Sequence, residues 1–248
     1  MDSFKPTVYH SLDARHLLHN LYRKCLIDTP VPLSERMVET SFGDTHVVLY
    51  GNPSGQPVMA FCGNNVVNPQ ILLPFVQHFD MERLLLVAPD VPGCIGFSYE
   101  YPRSMSAGDY GTWATAVMNA LSIHNAAVFG YSFGAGIALQ LCRTALLRVE
   151  RLLLVNPSCI LRTPSIPETP QPISQYAIPQ KEISKLLTAG QIKKLNAPVF
   201  VAADDNDPLF TGSKILRQAE KLFRNITALR LNPTTDDLFV EMSGFLVD

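Results

Sequence analysis

The stretch VFGYSFGAG, residues 128–136, sets a serine between two glycines in the pattern G-x-S-x-G, as Gly130-Tyr131-Ser132-Phe133-Gly134. A serine in this pattern becomes a nucleophile when an apolar strand leads into it and a helix leads away, because the sharp turn between them lifts the hydroxyl above a sheet. Both conditions are met: AAVFGY runs up to the serine, and the small residues Gly134, Ala135 and Gly136 open the segment beyond it. The chemistry this suggests is acyl transfer, with Ser132 attacking a carbonyl carbon. Negative charge then develops on the carbonyl oxygen and calls for N–H donors aimed at it. The backbone of Phe133, at the start of its helix, is one candidate. The backbone of Asn64, in the glycine turn FCGNN at residues 61–65, is the other.

Such a serine also needs a base, and the base an acid to orient it. Acidic candidates crowd together as Asp204, Asp205 and Asp207 in VAADDNDP, directly after an apolar run. The three could instead hold a divalent cation, but no further acidic partners stand at suitable spacing, so no metal is expected. The six histidines, His10, His16, His19, His46, His78 and His124, all precede Ser132. His16 and His19 read as solvated residues of an amphipathic helix, remote from the strand ends, and their i, i+3 spacing is a weak hint of a metal pair. His46 falls in an early hairpin, His78 ends a helix, and His124 precedes the strand of Ser132 at its wrong end. None is an attractive base; His78 is the first substitute to consider.

The elements that must position these residues follow from periodicity. Leu18, Leu21, Tyr22, Cys25 and Leu26 recur at helical spacing after Ser11, a capping residue, which predicts a helix over residues 11–26. Two strands at 37–42 and 45–50 read as a hairpin turning at Gly43-Asp44. Strand-like apolar runs at 57–62, 83–89, 126–131, 151–156, 198–203 and 226–231 then alternate with helical stretches near 69–79, 107–121, 133–147 and 213–223. Near-continuous apolar runs separated by helices argue a mainly parallel sheet covered on both faces. The segment at 158–180 carries Pro164, Pro167, Pro170, Pro172 and Pro179 and reads as an excursion over the sheet, either a lid or a plain surface loop. After the last strand, LFVEMSGFLVD leaves little room for a long final helix.

Composition narrows the class. With 47% hydrophobic and 17% charged residues and a formal charge of −2, the chain folds into a core and offers no broad basic field for a nucleic acid. The five cysteines are scattered and contain no C-x-x-C pair, so reduced thiols in a cytoplasmic setting are expected rather than disulfides or zinc. The N-terminal stretch lacks the apolar core of a signal peptide, and no run is long enough to span a bilayer, so no membrane association is expected.

Taken in order, the landmarks resemble those of the α/β-hydrolases, of the carboxylesterase-like kind, over nearly the whole chain. They are Cys62-Gly63, where that family usually has His-Gly, then DVPGCIGFS at 90–98, then GYSFG, then PVFVAADDNDP. The resemblance implies an α/β-hydrolase fold: one domain over 1–248, a mostly parallel sheet with helices on both faces, and a short Pro-rich cap or lid at 158–196. It implies that Asp207, before Pro208, is the acid, and that the base belongs on the loop after the last strand. That loop reads LNPTTDDLF at 231–239, and Asp237 stands where the histidine is expected. An aspartate, with an ordinary pKa of about 3.9 against about 6.5 for histidine, has little driving force to deprotonate a serine at neutral pH. The expectation is a serine hydrolase for a small ester or related acyl substrate, needing no cofactor, with activity weak or absent. The alternative is a non-catalytic ligand-binding protein that keeps the same pocket. Oligomeric state leaves no signal in the sequence.

Overall fold

The computed structural model of the chain describes residues 8–62, 66–100, 105–161, 172–178, 195–205, 211–231 and 237–247. Among these, the strands are β1 (Leu33–Thr40), β2 (Gly43–Gly51), β3 (Gln56–Phe61), β4 (Leu84–Pro89), β5 (Ala126–Tyr131), β6 (Val149–Val155), β7 (Val199–Asp204) and β8 (Ile226–Leu231). They form one sheet in the order β1-β2-β4-β3-β5-β6-β7-β8. The pairs β1–β2 and β2–β4 are antiparallel and every later pair is parallel. β5, which leads into Ser132, lies between β3 and β6 near the middle of the sheet, and its first five residues are fully buried. A strand covered on both faces needs apolar residues at every position, which is why AAVFG shows no alternation.

Two helical layers cover the sheet. α1 (Leu12–Ile27), α2 (Asn68–His78) and α6 (Asp237–Val247) pack on one face with Tyr22, Leu72, Phe75, Phe129 and Met242 in the core between. α3 (Ala107–Ala120), α4 (Phe133–Thr144) and α5 (Gly212–Leu222) cover the other, around Phe61, Trp113, Val128, Ile137 and Ile215. α1 starts where its sequence dictates: the Ser11 hydroxyl accepts the Ala14 N–H at 3.1 Å, and Ala14, Leu18, Tyr22 and Leu26 present one buried stripe. The fold is thus α/β, as the strand and helix runs imply.

Several boundaries depart from the sequence reading. β1 begins four residues earlier than expected, and the hairpin turns at Ser41-Phe42, not at Gly43-Asp44. The Thr40 hydroxyl accepts the Phe42 N–H at 3.1 Å and donates to the Gly43 carbonyl at 2.8 Å, closing a two-residue turn. Gly43, at φ 92°, lies so close to the Tyr99 ring that a Cβ would sit 2.7 Å from it. The final helix is short, as its segment allows, with eleven residues, and Leu238, Met242 and Leu246 of α6 bury one face at i, i+4, i+8. Of the segment 158–196, expected as a cap or lid, the structure describes only residues 158–161, 172–178 and 195–196. Within it, the Ile178 N–H donates to the Val8 carbonyl and the His10 N–H to the Tyr176 carbonyl, tying residues 176–178 to the N-terminal strap.

α3 and α4 approach closely at Gly111, where a Cβ would lie 2.3 Å from Thr144 Oγ1 and 2.4 Å from the Gln140 carbonyl. Alanine would gain about 1 kcal/mol of intrinsic helix propensity at this position. The overlap opposes that gain and must push the helices apart, at a cost of about 1–3 kcal/mol or more. Gly111→Ala should therefore lower the urea midpoint; a midpoint raised by the propensity gain would show that the contact yields freely.

Candidate active site

The turn from β5 into α4 is built to hold Ser132 in a conformation that serine avoids. Its backbone angles are φ 52°, ψ −115°, in a region that L-residues enter at a cost of about 1–3 kcal/mol. Neighbouring strands impose it: the Ser132 N–H donates to the Val155 carbonyl of β6 at 2.9 Å, and the Ala135 N–H donates to the Ser132 carbonyl at 3.1 Å. The flanking glycines are required by space rather than by φ. A Cβ on Gly130 would lie 2.6 Å from the Ala135 Cα, and one on Gly134 would lie 2.0 Å from the Phe61 carbonyl oxygen. Ser132 is half-buried, whereas α4 is buried from Phe133 through Cys142. Its side chain makes no capping bond to the helix it precedes, which leaves the hydroxyl uncommitted to α4.

Phe133 is the first residue of α4, so its N–H is among those with no partner inside the helix, and the helix N-terminus adds partial positive charge. The contact of Gly134 with Phe61 and Cys62 brings the end of β3 against the same helical turn. Gly63, Asn64 and Asn65 follow immediately in the chain; Asn64, the second expected donor, lies outside the described residues, as does Asp207. Cys62 is buried, and burial together with the charge of Asp90 pushes its thiol far above the ordinary range. It is a packing residue, not a reactive one.

Asp237 is exposed and is the first residue of α6, not a loop residue. Aromatic contacts relate it to the serine: Phe75 of α2 packs on Tyr131, with centroids 6.1 Å apart, and on Phe239, at 5.4 Å. One ring therefore separates the residue before Ser132 from the first turn of α6.

The histidines occupy three kinds of position. His16 and His124 are exposed, and His124 lies two residues before β5 begins, at the far end from Ser132. His78 ends α2 just ahead of β4, one turn after Phe75, and its ring stacks on Phe239 at 5.0 Å beside a cleft of about 260 Å³ shared with Asp80, Arg83 and Ser243. His19 corrects the expectation of a solvated residue: it is half-buried, with Nε2 3.0 Å from both the Tyr9 hydroxyl and the Gly96 carbonyl. Burial, then the charge of Arg15, lowers its pKa.

His46 is the histidine whose environment the sequence concealed. It is buried at the end of the sheet where Ser132 stands, and both ring nitrogens face carboxylates: Nδ1–H donates to Asp90 Oδ2 at 2.9 Å and Nε2–H to Glu35 Oε2 at 2.7 Å. Two acceptors satisfy an imidazole only when both nitrogens carry protons. Burial pulls its pKa down, but the hydrogen bonds and charges of Asp90 and Glu35 together outweigh that and raise it. Asp90, fully buried, also accepts from the Tyr22 hydroxyl, Asn68 Nδ2 and the Phe97 N–H, all at 2.8–2.9 Å. Arg23 completes the cluster, donating to Glu35 at 2.7 Å and lying 4.2 Å over the Phe97 ring. The sequence signal was faint: Asp90 was legible only as part of a landmark, and nothing near His46 announced its partners.

The family profile of the alpha/beta hydrolase fold matches residues 47–177, from β2 to the residues bonded to the N-terminal strap. The chain belongs to that family. No curated protein matches the sequence. Among solved structures, carboxylesterase CesB from Bacillus subtilis aligns with a TM-score of 0.76 at 16% identity, over 94% of this chain and 95% of its own. Naproxen esterase from Bacillus subtilis gives 0.76 at 16%, over 95% and 96%. A meta-cleavage product hydrolase from Pseudomonas fluorescens IP01 gives 0.66 at 17%, over 85% and 96%. At these identities the likeness is one of fold. In this order of elements Ser132 stands in the turn between β5 and α4, and Asp237 lies beyond β8. Among the described residues no cluster is placed to hold a metal ion, and no helix is long and apolar enough to cross a membrane.

The His46 cluster makes stability depend on pH in a stated direction. A histidine whose folded pKa is raised contributes fully below its unfolded value, near 6.5, and loses that contribution as pH rises through the folded value. The urea midpoint should therefore fall on going from pH 6.5 into the alkaline range, and His46→Gln should remove that slope while lowering stability at pH 6.5. A slope unchanged in His46→Gln would place its origin elsewhere.

Proposed function

We propose that the chain is a serine hydrolase of the carboxylesterase-like kind, acting on a small ester or related acyl substrate through Ser132, with the triad's histidine position taken by Asp237. The observation that carries this reading is the backbone of Ser132: a non-glycine residue held at φ 52°, half-exposed, at the head of a buried helix. Strain of this kind persists only where surrounding structure enforces it, and an ordinary strand-to-helix turn has no use for it. In the proposed reaction Ser132 Oγ attacks the acyl carbonyl, the alcohol leaves, and water later clears the acyl group. The Phe133 and Asn64 backbone N–H groups receive the oxyanion, and Asp207 is the acid. Two of the fold neighbours are esterases, which is consistent with this substrate class.

Removing the base from a serine triad costs about a millionfold in turnover and leaves about a thousandfold over water from the oxyanion hole and binding. The chain as it stands is therefore a slow enzyme. One observation favours a second reading, a ligand-binding protein that holds an acyl or carboxylate group without turnover. His46, an imidazole at the Ser132 end of the sheet, is fully engaged by Asp90 and Glu35.

The two readings separate in an assay of a short-chain aryl ester. Asp237→His should raise turnover about a hundredfold or more, and Ser132→Ala should abolish the gain. A gain that survives Ser132→Ala refutes the nucleophile. No gain, with a short-chain carboxylate still bound and released by Ser132→Ala, establishes the binding protein instead.

A further inference from the structure

Between the strand that carries Ser132 and the segment that carries Asp207 stands Asn156, a residue with unusual geometry on two counts. It follows the last residue of β6 and has φ 45°, in the left-handed region that asparagine tolerates better than most residues. Its side chain also makes a bond that belongs to a strand: Asn156 Oδ1 accepts the Asp204 N–H at 2.8 Å.

The parallel ladder between β6 and β7 shows what this bond replaces. The Leu152 N–H donates to the Pro198 carbonyl and, four residues on, the Asn156 N–H donates to the Ala202 carbonyl at 2.8 Å. On the two-residue period of a parallel pair, the next acceptor, due to receive the Asp204 N–H, is the carbonyl of Asn156 itself. At φ 45° the chain leaves the sheet toward Pro157, and the side-chain oxygen takes the place of that carbonyl. β6 thus ends two residues short of the end of β7, since Val155 pairs with Ala202, without leaving the last amide of β7 unpaired.

The position of this bond gives it a consequence. The Val155 carbonyl, one residue earlier, accepts the Ser132 N–H at 2.9 Å. On the other side, Asp204 is the last residue of β7 to pair with β8, opposite Leu231. Successive hydrogen bonds therefore run from the nucleophile's backbone across Val155-Asn156 to the point where β7 and β8 both end. Asp207 follows three residues after Asp204 in the chain and Asp237 six after Leu231.

We infer that Asn156 is a positioning residue: its side-chain oxygen, standing in for a strand carbonyl, fixes the exit of β7 relative to Ser132. The further consequence, that it thereby sets where the acid-bearing segment departs, rests on the hydrolase reading above. Two variants separate the side chain from the backbone. Asn156→Gly keeps the left-handed conformation and removes the acceptor; Asn156→Asp keeps both.

The first measurement is amide hydrogen exchange in the unmodified background. The Asp204 N–H should lose about tenfold or more of its protection in Asn156→Gly and keep it in Asn156→Asp, with the Ser132 N–H protected in both. Equal protection of Asp204 in the two variants overturns the inference whatever the protein catalyses. The second uses ester turnover in the Asp237→His background, where Asn156→Gly should lower kcat about tenfold with KM unchanged, and Asn156→Asp should restore it. A loss carried by KM, or no loss despite the lost protection, overturns the positioning role. Absence of any Ser132-dependent turnover in Asp237→His counts against the hydrolase reading alone, and the exchange result then decides for Asn156.

Discussion

At one place the backbone of α4 lies against the end of β3 so closely that a single methyl group would not fit. A Cβ on Gly134 would be 2.0 Å from the Phe61 carbonyl oxygen, 2.3 Å from its carbon and 2.7 Å from the Cys62 carbonyl oxygen. No rotamer relieves such an overlap, because the obstacle is backbone. The contact sets the helix N-terminus beside the end of a neighbouring strand, and this forces the turn between β5 and α4 into the conformation Ser132 adopts. The strain is affordable because α4 is buried along its length and β5 is held between two parallel partners. Burial of side chains such as Phe133, Ile137 and Leu141 contributes about 1.5–3 kcal/mol each, which outweighs a strain of about 1–3 kcal/mol.

The same end of the sheet is organised on its other side by Asp90. A fully buried carboxylate is costly unless its oxygens are satisfied, and this one accepts four hydrogen bonds from four elements: α1 through Tyr22, the start of α2 through Asn68, β2 through His46 and the loop after β4 through Phe97. Gly96, at φ 155°, allows the approach, since a Cβ there would lie 2.4 Å from the carboxylate. Tyr9, whose hydroxyl meets both the N–H and carbonyl of Gly96, extends the arrangement to the N-terminal strap and hence to residues 176–178. Residues distant in sequence thus converge on one rim.

What was legible in the sequence follows the range of the forces involved. Runs such as AAVFG and LLLVAP announce buried parallel strands because burial on both faces acts on every residue, and the elbow announces itself because its glycines stand within four residues of one another. The hairpin turn was misplaced because Gly43 is needed against Tyr99, a ring contributed from beyond β4. β1 was cut short because its exposed edge carries Ser34, Glu35 and Arg36, which carry no apolar alternation. His19 looked solvated on its own helix because its partners, Tyr9 and Gly96, come from a strap and a loop. Asn156 reads in the sequence as the last residue of the apolar run 151–156, and only the register of β7 shows that the strand stops before it and that its side chain completes the ladder.

The start of α6 offers a physical reason for an aspartate at position 237 that owes nothing to catalysis. Negative charge in the first turn of a helix is favoured by about 0.3–1 kcal/mol, and α6 is only eleven residues long, with one apolar face to hold it to the sheet. The same field acts oppositely on an imidazole. At a helix N-terminus the partial positive charge disfavours imidazolium, so a histidine in this turn would rest neutral, with a lone pair available to a serine hydroxyl. His46 sits under the reverse influence: two carboxylates hold it doubly protonated and spend both nitrogens on structure. The fold therefore commits both nitrogens of His46 to structure, and sets an acid at a helix N-terminus where its charge is favoured.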